Sequence, residues 1–182
     1  MKEIRDLLPK KFKIYTPKKL KIKSPRENGR TFKDNSLIKA RYYSHKSKMP
    51  SIADDSGLQI SILNNEPGIF SARWGGKENN FNLAIKKVYK KLNSTNPSWY
   101  KKKIKAKFIC ALTVFFSDKK HVTSIGIIHG KISKIKKGTN GFGYDPIFIP
   151  NGSKLTFAQM NPNKKYKIDH RAIAFKKIKK FF

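Results

Sequence analysis

The chain has 182 residues, 38% of them hydrophobic, with thirteen Phe and seven Tyr, enough for one domain with a real core and too apolar for a disordered tail. Its single cysteine, Cys110 in the apolar run "KFICALTVFF", reads as a buried, inert thiol, which excludes a disulfide framework and a cysteine metal cluster. The formal charge is +31, from 42 Lys+Arg against 11 Asp+Glu, which on its face resembles a nucleic-acid binder.

The basic residues are nearly all lysine, with Arg only at 5, 26, 30, 41, 73 and 171. Lys, Ile, Asn and Phe are inflated together, as an AT-rich genome would produce. The charge therefore reads as a solvated basic surface that also helps a polyphosphate arrive, with no specific nucleic-acid site. No apolar run approaches the roughly 20 residues that span a bilayer. The opening "MKEIRDLLPKKF" lacks the apolar block of a signal peptide. With a lone thiol, these features predict a reducing, cytoplasmic setting.

In chain order, "EIRDLL" (3–8) reads as the end of a helix. "FKIYT" (12–16) alternates and predicts a short strand. Residues 17–30 form a Lys/Pro/Gly-rich loop. "TFKD" places Asp34 three residues after Thr31, a capping-box signature, and predicts a helix to about His45. On that helix Lys39 lies beside Asn35 and near Phe32 and Tyr43. After Pro50, "SIAD" predicts one strand. "GLQISIL" predicts a second, with Leu58, Ile60 and Ile62 on its buried face.

"NNEPG" is a turn. A loop carrying Ser71, Arg73 and Trp74 leads to Gly75-Gly76. "NFNLAIKKVYKKL" predicts an amphipathic helix. "AKFICALTVFF" (106–116) and "HVTSIGIIHGKIS" (121–133) flank "SDKK" and predict a long hairpin. "KKGTNGFGYDPIF" is a glycine-rich loop entering a strand. "DHRAIAFKKIKKFF" predicts a last helix that Asp169 can cap, with Ala174, Phe175, Ile178, Phe181 and Phe182 at helical spacing. The mixture predicts an α/β protein with a mixed sheet.

Three stretches carry chemistry. Asp54-Asp55-Ser56-Gly57 sets two of the rare acids side by side at a strand end. Neighbouring strand residues point to opposite faces, so one carboxylate can face a cleft while the other bonds the local backbone or holds a metal-bound water. Such acids suit Mg²⁺, a hard cation that takes oxygen ligands and keeps several waters. The same tetrapeptide also fits an Asx-type turn. In "GTNGFGYD" (138–145), Phe142 and Tyr144 can stack on a base or fill a core. It is not a Walker A loop, because no Gly-Lys-Ser/Thr follows. "KKYKIDHR" gathers Lys165, His170 and Arg171 around a helix start, where backbone N–H groups attract anions and carbonyl oxygens.

Together, "ADDSGLQISILNNEPGIFSARWGG", "GRTFKDNSLIKAR", "NGFGYDPIF" and "DHR" stop being generic. In this order they closely resemble the inosine triphosphate pyrophosphatase family, over nearly the whole chain. The resemblance implies an α/β fold with an elongated mixed β-sheet, flanking helices and two lobes around a cleft, as a single domain over 1–182. It implies a homodimer and Mg²⁺-dependent hydrolysis of ITP, dITP and XTP to the monophosphate and pyrophosphate. Asp55 resembles the general base and a metal ligand, Glu27 a second metal carboxylate, and Lys39 the cleft lysine near the phosphates. Ser56 resembles a substrate contact. Phe142, Gly143, Tyr144 and Asp145 resemble the base-binding loop, and Lys165, His170 and Arg171 the residues that recognise the purine.

"DHR" replaces the family's "SHR", a mild change because Asp and Ser both cap helices. Family members begin with a strand and a "T/S-x-N-x-x-K" phosphate loop. By that pattern this chain starts inside the following helix, on the order of a dozen residues late. A basic RNA- or ribosome-associated protein, or an inactive remnant of the enzyme, is the alternative. The first explains the charge but not the acidic motif.

Overall fold

The computed structural model describes residues 8, 9, 11–116 and 120–182. Most of "EIRDLL" and the "SDKK" hairpin turn lie outside the described residues. Among the described residues there are four α-helices: α1 (Phe32–Ser47), α2 (Phe81–Thr95), α3 (Pro162–Ile168) and α4 (His170–Ile178). The strands are β1 (Ser51–Ile60), β2 (Glu66–Pro67), β3 (Lys105–Phe115), β4 (His121–Ile132) and β5 (Phe148–Pro150). They form one five-stranded sheet in the order β2-β1-β3-β4-β5. The outer pairs are antiparallel, with Gln59 opposite Pro67 and Lys131 opposite Ile149. None of the described helices is long and apolar enough to cross a membrane.

The chain divides into two compact units. The first comprises residues 1–56, 110–126 and 170–182, and the second 57–109 and 127–169. In the first unit, strand alternation sorts the side chains onto two faces. Ile52 of β1, Cys110, Leu112 and Val114 of β3, and Val122 of β4 pack with Ala174, Phe175 and Ile178 of α4. Ala53 of β1 and Phe115 of β3 point the other way, onto Leu37 and Ala40 of α1. Thr113 also faces α1, its hydroxyl 2.7 Å from that of Ser36. The unit is thus a sheet segment between two helices.

The capping box forms as the sequence predicts. Thr31 Oγ1 accepts from the Asp34 N–H at 3.1 Å, and Asp34 Oδ2 accepts from the Thr31 N–H at 3.0 Å. Lys48 ends α1 in the left-handed region, at φ 58°.

The second unit holds the larger core. Leu58 and Ile60 of β1 meet Ala84, Ile85, Val88 and Leu92 along one face of α2, together with Trp99, Ile147, Phe148 and Phe157. Asn80 caps α2 by accepting from the Asn82 and Leu83 N–H groups. Each fully buried Leu or Phe contributes about 1.5–3 kcal/mol through removal from water.

Four expectations change. Residues 12–16 form no strand. The backbone turns after them, with Ile22 N–H donating to Pro17 O at 2.9 Å, and the Phe12 ring lies against Phe182 instead. β1 is one continuous strand of ten residues through Asp54, Asp55 and Ser56 rather than two strands parted by a tight turn. Its other neighbour in the sheet is the eleven-residue β3, while β2 meets only its far end, at Gln59 and Ile60. Residues 162–168 form an unforeseen short helix, α3, whose end carries the Asp169 N–H donating to Lys165 O at 3.0 Å. Finally, the last helix tightens to a 3₁₀ turn at 179–181, and Phe181 is exposed rather than on the buried face. A 3₁₀ turn advances 120° per residue, about 20° more than an α-helix, so the apolar stripe rotates away.

Gly126 of β4 shows how tightly α4 lies on the sheet. A Cβ there would sit 2.0 Å from His170 O and 2.4 Å from Ala174 N, both backbone atoms. Gly126→Ala is therefore expected to destabilise at the upper end of the ~1–3 kcal/mol of overpacking or beyond. Gly152→Ala, at φ 80° with nothing within 4 Å, should cost only about 1 kcal/mol of backbone strain. Urea melts of the two variants check the order; equal losses would show that α4 yields freely.

Candidate active site

The consecutive acids of β1 face opposite ways, and each meets its own partners. Asp55 is only 7% exposed and points to α1. Its Oδ1 accepts from Lys39 Nζ at 2.7 Å. Its Oδ2 accepts from Asn35 Nδ2 at 3.4 Å, a long bond. Asn35 and Lys39 stand four residues apart, so one helix face delivers both. Asn35 is fully buried, and its Oδ1 accepts from the Gly29 N–H at 2.8 Å, tying the loop before α1 to the acid. The same loop brings Glu27, whose Oε1 lies 3.2 Å from Lys39 Nζ. One ammonium thus sits between two carboxylates.

Asp54 occupies the other face. Its Oδ2 accepts from Ser56 Oγ at 2.8 Å and from Arg171 Nε at 3.1 Å. Ser56 is two residues along the strand and so shares that face. Arg171 is the second residue of α4, and its Nη1 lies 3.1 Å from His170 Nε2.

Charge distributes unequally over this cluster. Burial pushes the Asp55 carboxyl up, more than Lys39 holds it down, and Glu27 adds to the rise. For Asp54 burial also pushes up, but Arg171, the Ser56 hydroxyl and Lys39 outweigh it and hold the carboxyl below its ordinary value. Burial opposes the charge on Lys39, yet Asp55, Glu27 and Asp54 together raise its proton affinity. Adjacent residues of one strand are therefore a firmly ionised acid and a more basic one. A buried carboxylate of raised basicity is what proton abstraction asks for.

Could these residues hold a divalent metal? Among the described residues no three or more His, Cys, Asp or Glu side chains gather as a metal site. Asp55 and Glu27 nevertheless aim an oxygen each at one cationic point, now Lys39 Nζ. Two carboxylates, completed by ligand phosphates and waters, suit Mg²⁺, which seldom uses an all-protein cage. The residues fit such an ion.

The aromatic loop builds a second cluster, within the second unit. Asp145 is its hub: Oδ2 accepts from the Phe142 N–H at 3.0 Å and from Lys165 Nζ at 2.8 Å. Gly141 adopts φ 76°, and a Cβ there would come within 2.1 Å of Asp145 Oδ2, so only glycine lets the loop wrap the carboxylate. Gly143 repeats the left-handed turn at φ 69°. Tyr144 is core. It is 2% exposed, its hydroxyl donates to Ser71 O at 2.9 Å, and its ring meets Phe81 edge-on. Phe142 is the ring on offer, at 50% exposure. Lys165 Nζ lies 5.4 Å from the Phe142 centroid and 5.6 Å from those of Phe157 and Tyr166.

The structure therefore brings Glu27, Lys39, Asp55, Ser56, His170 and Arg171 into the first unit, and Phe142, Gly143, Tyr144, Asp145 and Lys165 into the second. Sequence reasoning passed over Asn35 as a partner of Asp55, although its i, i+4 relation to Lys39 signals it. For the second acid it expected a bond to the local backbone or a metal-bound water, whereas Asp54 accepts from the side chains of Ser56 and Arg171.

The first unit thus carries an acid–lysine cluster on an α/β sheet, and the second an aromatic loop built around a buried ion pair. The chain belongs to the Ham1 family, whose model matches residues 1–181. It is 43% identical to the dITP/XTP pyrophosphatase of Caulobacter vibrioides over 97% of this chain and 89% of that one. It is 40% identical to the dITP/XTP pyrophosphatase of Haemophilus influenzae over 98% and 91%. Among solved structures, the HAM1 protein from Coxiella burnetii superposes with a TM-score of 0.88 at 32% identity, covering 99% of this chain and 91% of that one.

The Lys165–Asp145 pair is buried, at 2% and 4% side-chain exposure. Removing one partner of such a pair leaves a buried charge and costs about 3–5 kcal/mol. Lys165→Met should lose that much in urea unfolding, and Lys165→Met with Asp145→Asn should recover part of it. A single variant within about 0.5 kcal/mol of the parent, the scatter of an ordinary surface substitution, would show that the pair carries no stability.

Proposed function

We propose that this protein hydrolyses ITP, dITP and XTP to the nucleoside monophosphate and pyrophosphate, with Mg²⁺, in the cytoplasm and as a homodimer. The observation that carries the reading is the buried Asp55 carboxylate, sharing the ammonium of Lys39 with Glu27. The near-full-length similarity to proteins named dITP/XTP pyrophosphatase supports the substrate class.

Phosphoanhydride hydrolysis needs a positioned water and charge neutralisation more than covalent work. Asp55 and Glu27 would hold Mg²⁺, which when bound would neutralise phosphate charge and lower the pKa of water. Asp55 takes the proton of the water that attacks the α-phosphorus. The bond to the bridging oxygen breaks, and pyrophosphate leaves with the electron pair. The ammonium of Lys39 faces the charge that develops on the leaving oxygens. Oδ2 of Asp55, which accepts the long 3.4 Å bond from Asn35, is more lightly engaged than Oδ1 among the described residues and is the better acceptor.

On the base, Phe142 offers its exposed face for stacking. Lys165 and Arg171 are donors only. A donor of either kind suits the 6-oxo group of hypoxanthine and xanthine and leaves the 6-amino group of adenine without a partner.

Asp55→Asn keeps shape and loses the base. ITP turnover at saturating Mg²⁺ should fall by at least about 10²-fold, with circular dichroism unchanged. Near-normal turnover would overturn the assignment. Phe142→Ala should raise KM for ITP by roughly tenfold, the ~1–3 kcal/mol of one stacked base, and leave kcat nearly as it was. Steady-state kinetics with ITP reads both, and a fall in kcat alone would move Phe142 off the base.

A further inference from the structure

We infer that Asp54 is a positioning residue for substrate selection, setting the guanidinium of Arg171 from the strand residue next to the reacting acid. The inference rests on the proposed hydrolysis of 6-oxo purine triphosphates and adds a residue that the reaction itself does not use. Asp54 Oδ2 is shared by two donors, Ser56 Oγ at 2.8 Å and Arg171 Nε at 3.1 Å. Ser56 stands on the same face of β1, so its bond orients the carboxylate from within the strand.

The bond to Arg171 is made at Nε, the inner nitrogen. A planar guanidinium held there has its orientation set while its outer nitrogens project beyond the pair. One of these, Nη1, lies 3.1 Å from His170 Nε2. Ser56, Asp54, Arg171 and His170 thus form one connected line from β1 to the start of α4.

The placement has a cost that the pairing offsets. A cation in the first turn of a helix opposes the helix dipole. Arg171 is the second residue of α4 and is only 13% exposed on its side chain. Asp54 supplies its counter-charge. The same residue is bonded through the backbone to Asp55, so the arginine that would read the base and the carboxylate that would take the proton hang from one dipeptide.

A salt bridge that merely pins α4 to the sheet would contribute stability alone. The two roles part in the ratio of kcat/KM for ITP to that for ATP. Asp54→Asn, Arg171→Ala and the double variant are assayed with both nucleotides, alongside urea melts. Asp54→Asn should lower the ratio by about tenfold, the worth of one hydrogen bond to a charged group. In the Arg171→Ala background the same change should move the ratio less than about twofold, because the pair acts as a unit. Asp54→Glu, which keeps the charge but displaces it, should fall between, and serves as the test if Asp54→Asn does not fold.

An unchanged ITP:ATP ratio in Asp54→Asn, with or without lost stability, overturns the inference while leaving the proposed function standing. So does a tenfold loss that persists in full without Arg171. A parent protein that does not hydrolyse ITP overturns the proposed function, and this inference with it.

Discussion

The alternation of β1 is the constraint on which the site depends. Two carboxylates one residue apart in a regular strand cannot share a face. Asp54 is thereby given to α4 and Asp55 to α1, and each helix supplies a different cation. Arg171 holds Asp54 ionised, whereas burial beside Glu27 raises Asp55. A register slip of one residue would exchange the two environments and place the wrong acid beside Lys39. Pairing with β2 at Gln59 and Ile60, and the burial of Leu58 and Ile60 below it, pin that register.

The scarcity of acids in a chain of charge +31 takes on meaning once their partners are known. Glu27, Asp54, Asp55 and Asp145 each meet a cation at least partly shielded from water. Most of the lysines face solvent, where screening leaves an ion pair worth little. Their sum still biases the approach of a polyanion. The few carboxylates act locally and the many lysines act as a field, so the two do not compete.

The aromatic loop uses the same economy of parts in the second unit. Asp145 at once accepts from the Phe142 N–H, holds Lys165 and requires glycine at 141. Tyr144 goes inward to Ser71 and Phe81, and that anchoring leaves Phe142 turned out. The loop's outer ring is thus supported by an inner ring and a buried ion pair.

Much of this was legible from local pattern. The Thr31–Asp34 capping box, the stripe of α2 and the β3–β4 hairpin are set by spacings of three, four and two residues, which any segment carries with it. The strand expected over 12–16 and the break expected after Asp54 failed because a strand is made by its neighbour, and no short window contains the neighbour. The Phe142/Tyr144 choice stayed open for a related reason: both rings suit a core or a base, and only the position of Ser71 selects. By itself the sequence determined α1, α2 and most of α4, the long alternating strands β3 and β4, and the chemical kinds of side chain available. The tertiary structure alone decided which carboxylate meets which cation. Asp54 and Arg171 are 117 residues apart, and Asp55 and Lys39 sixteen, so these pairings depend on the path of the chain through space and not on any period within it.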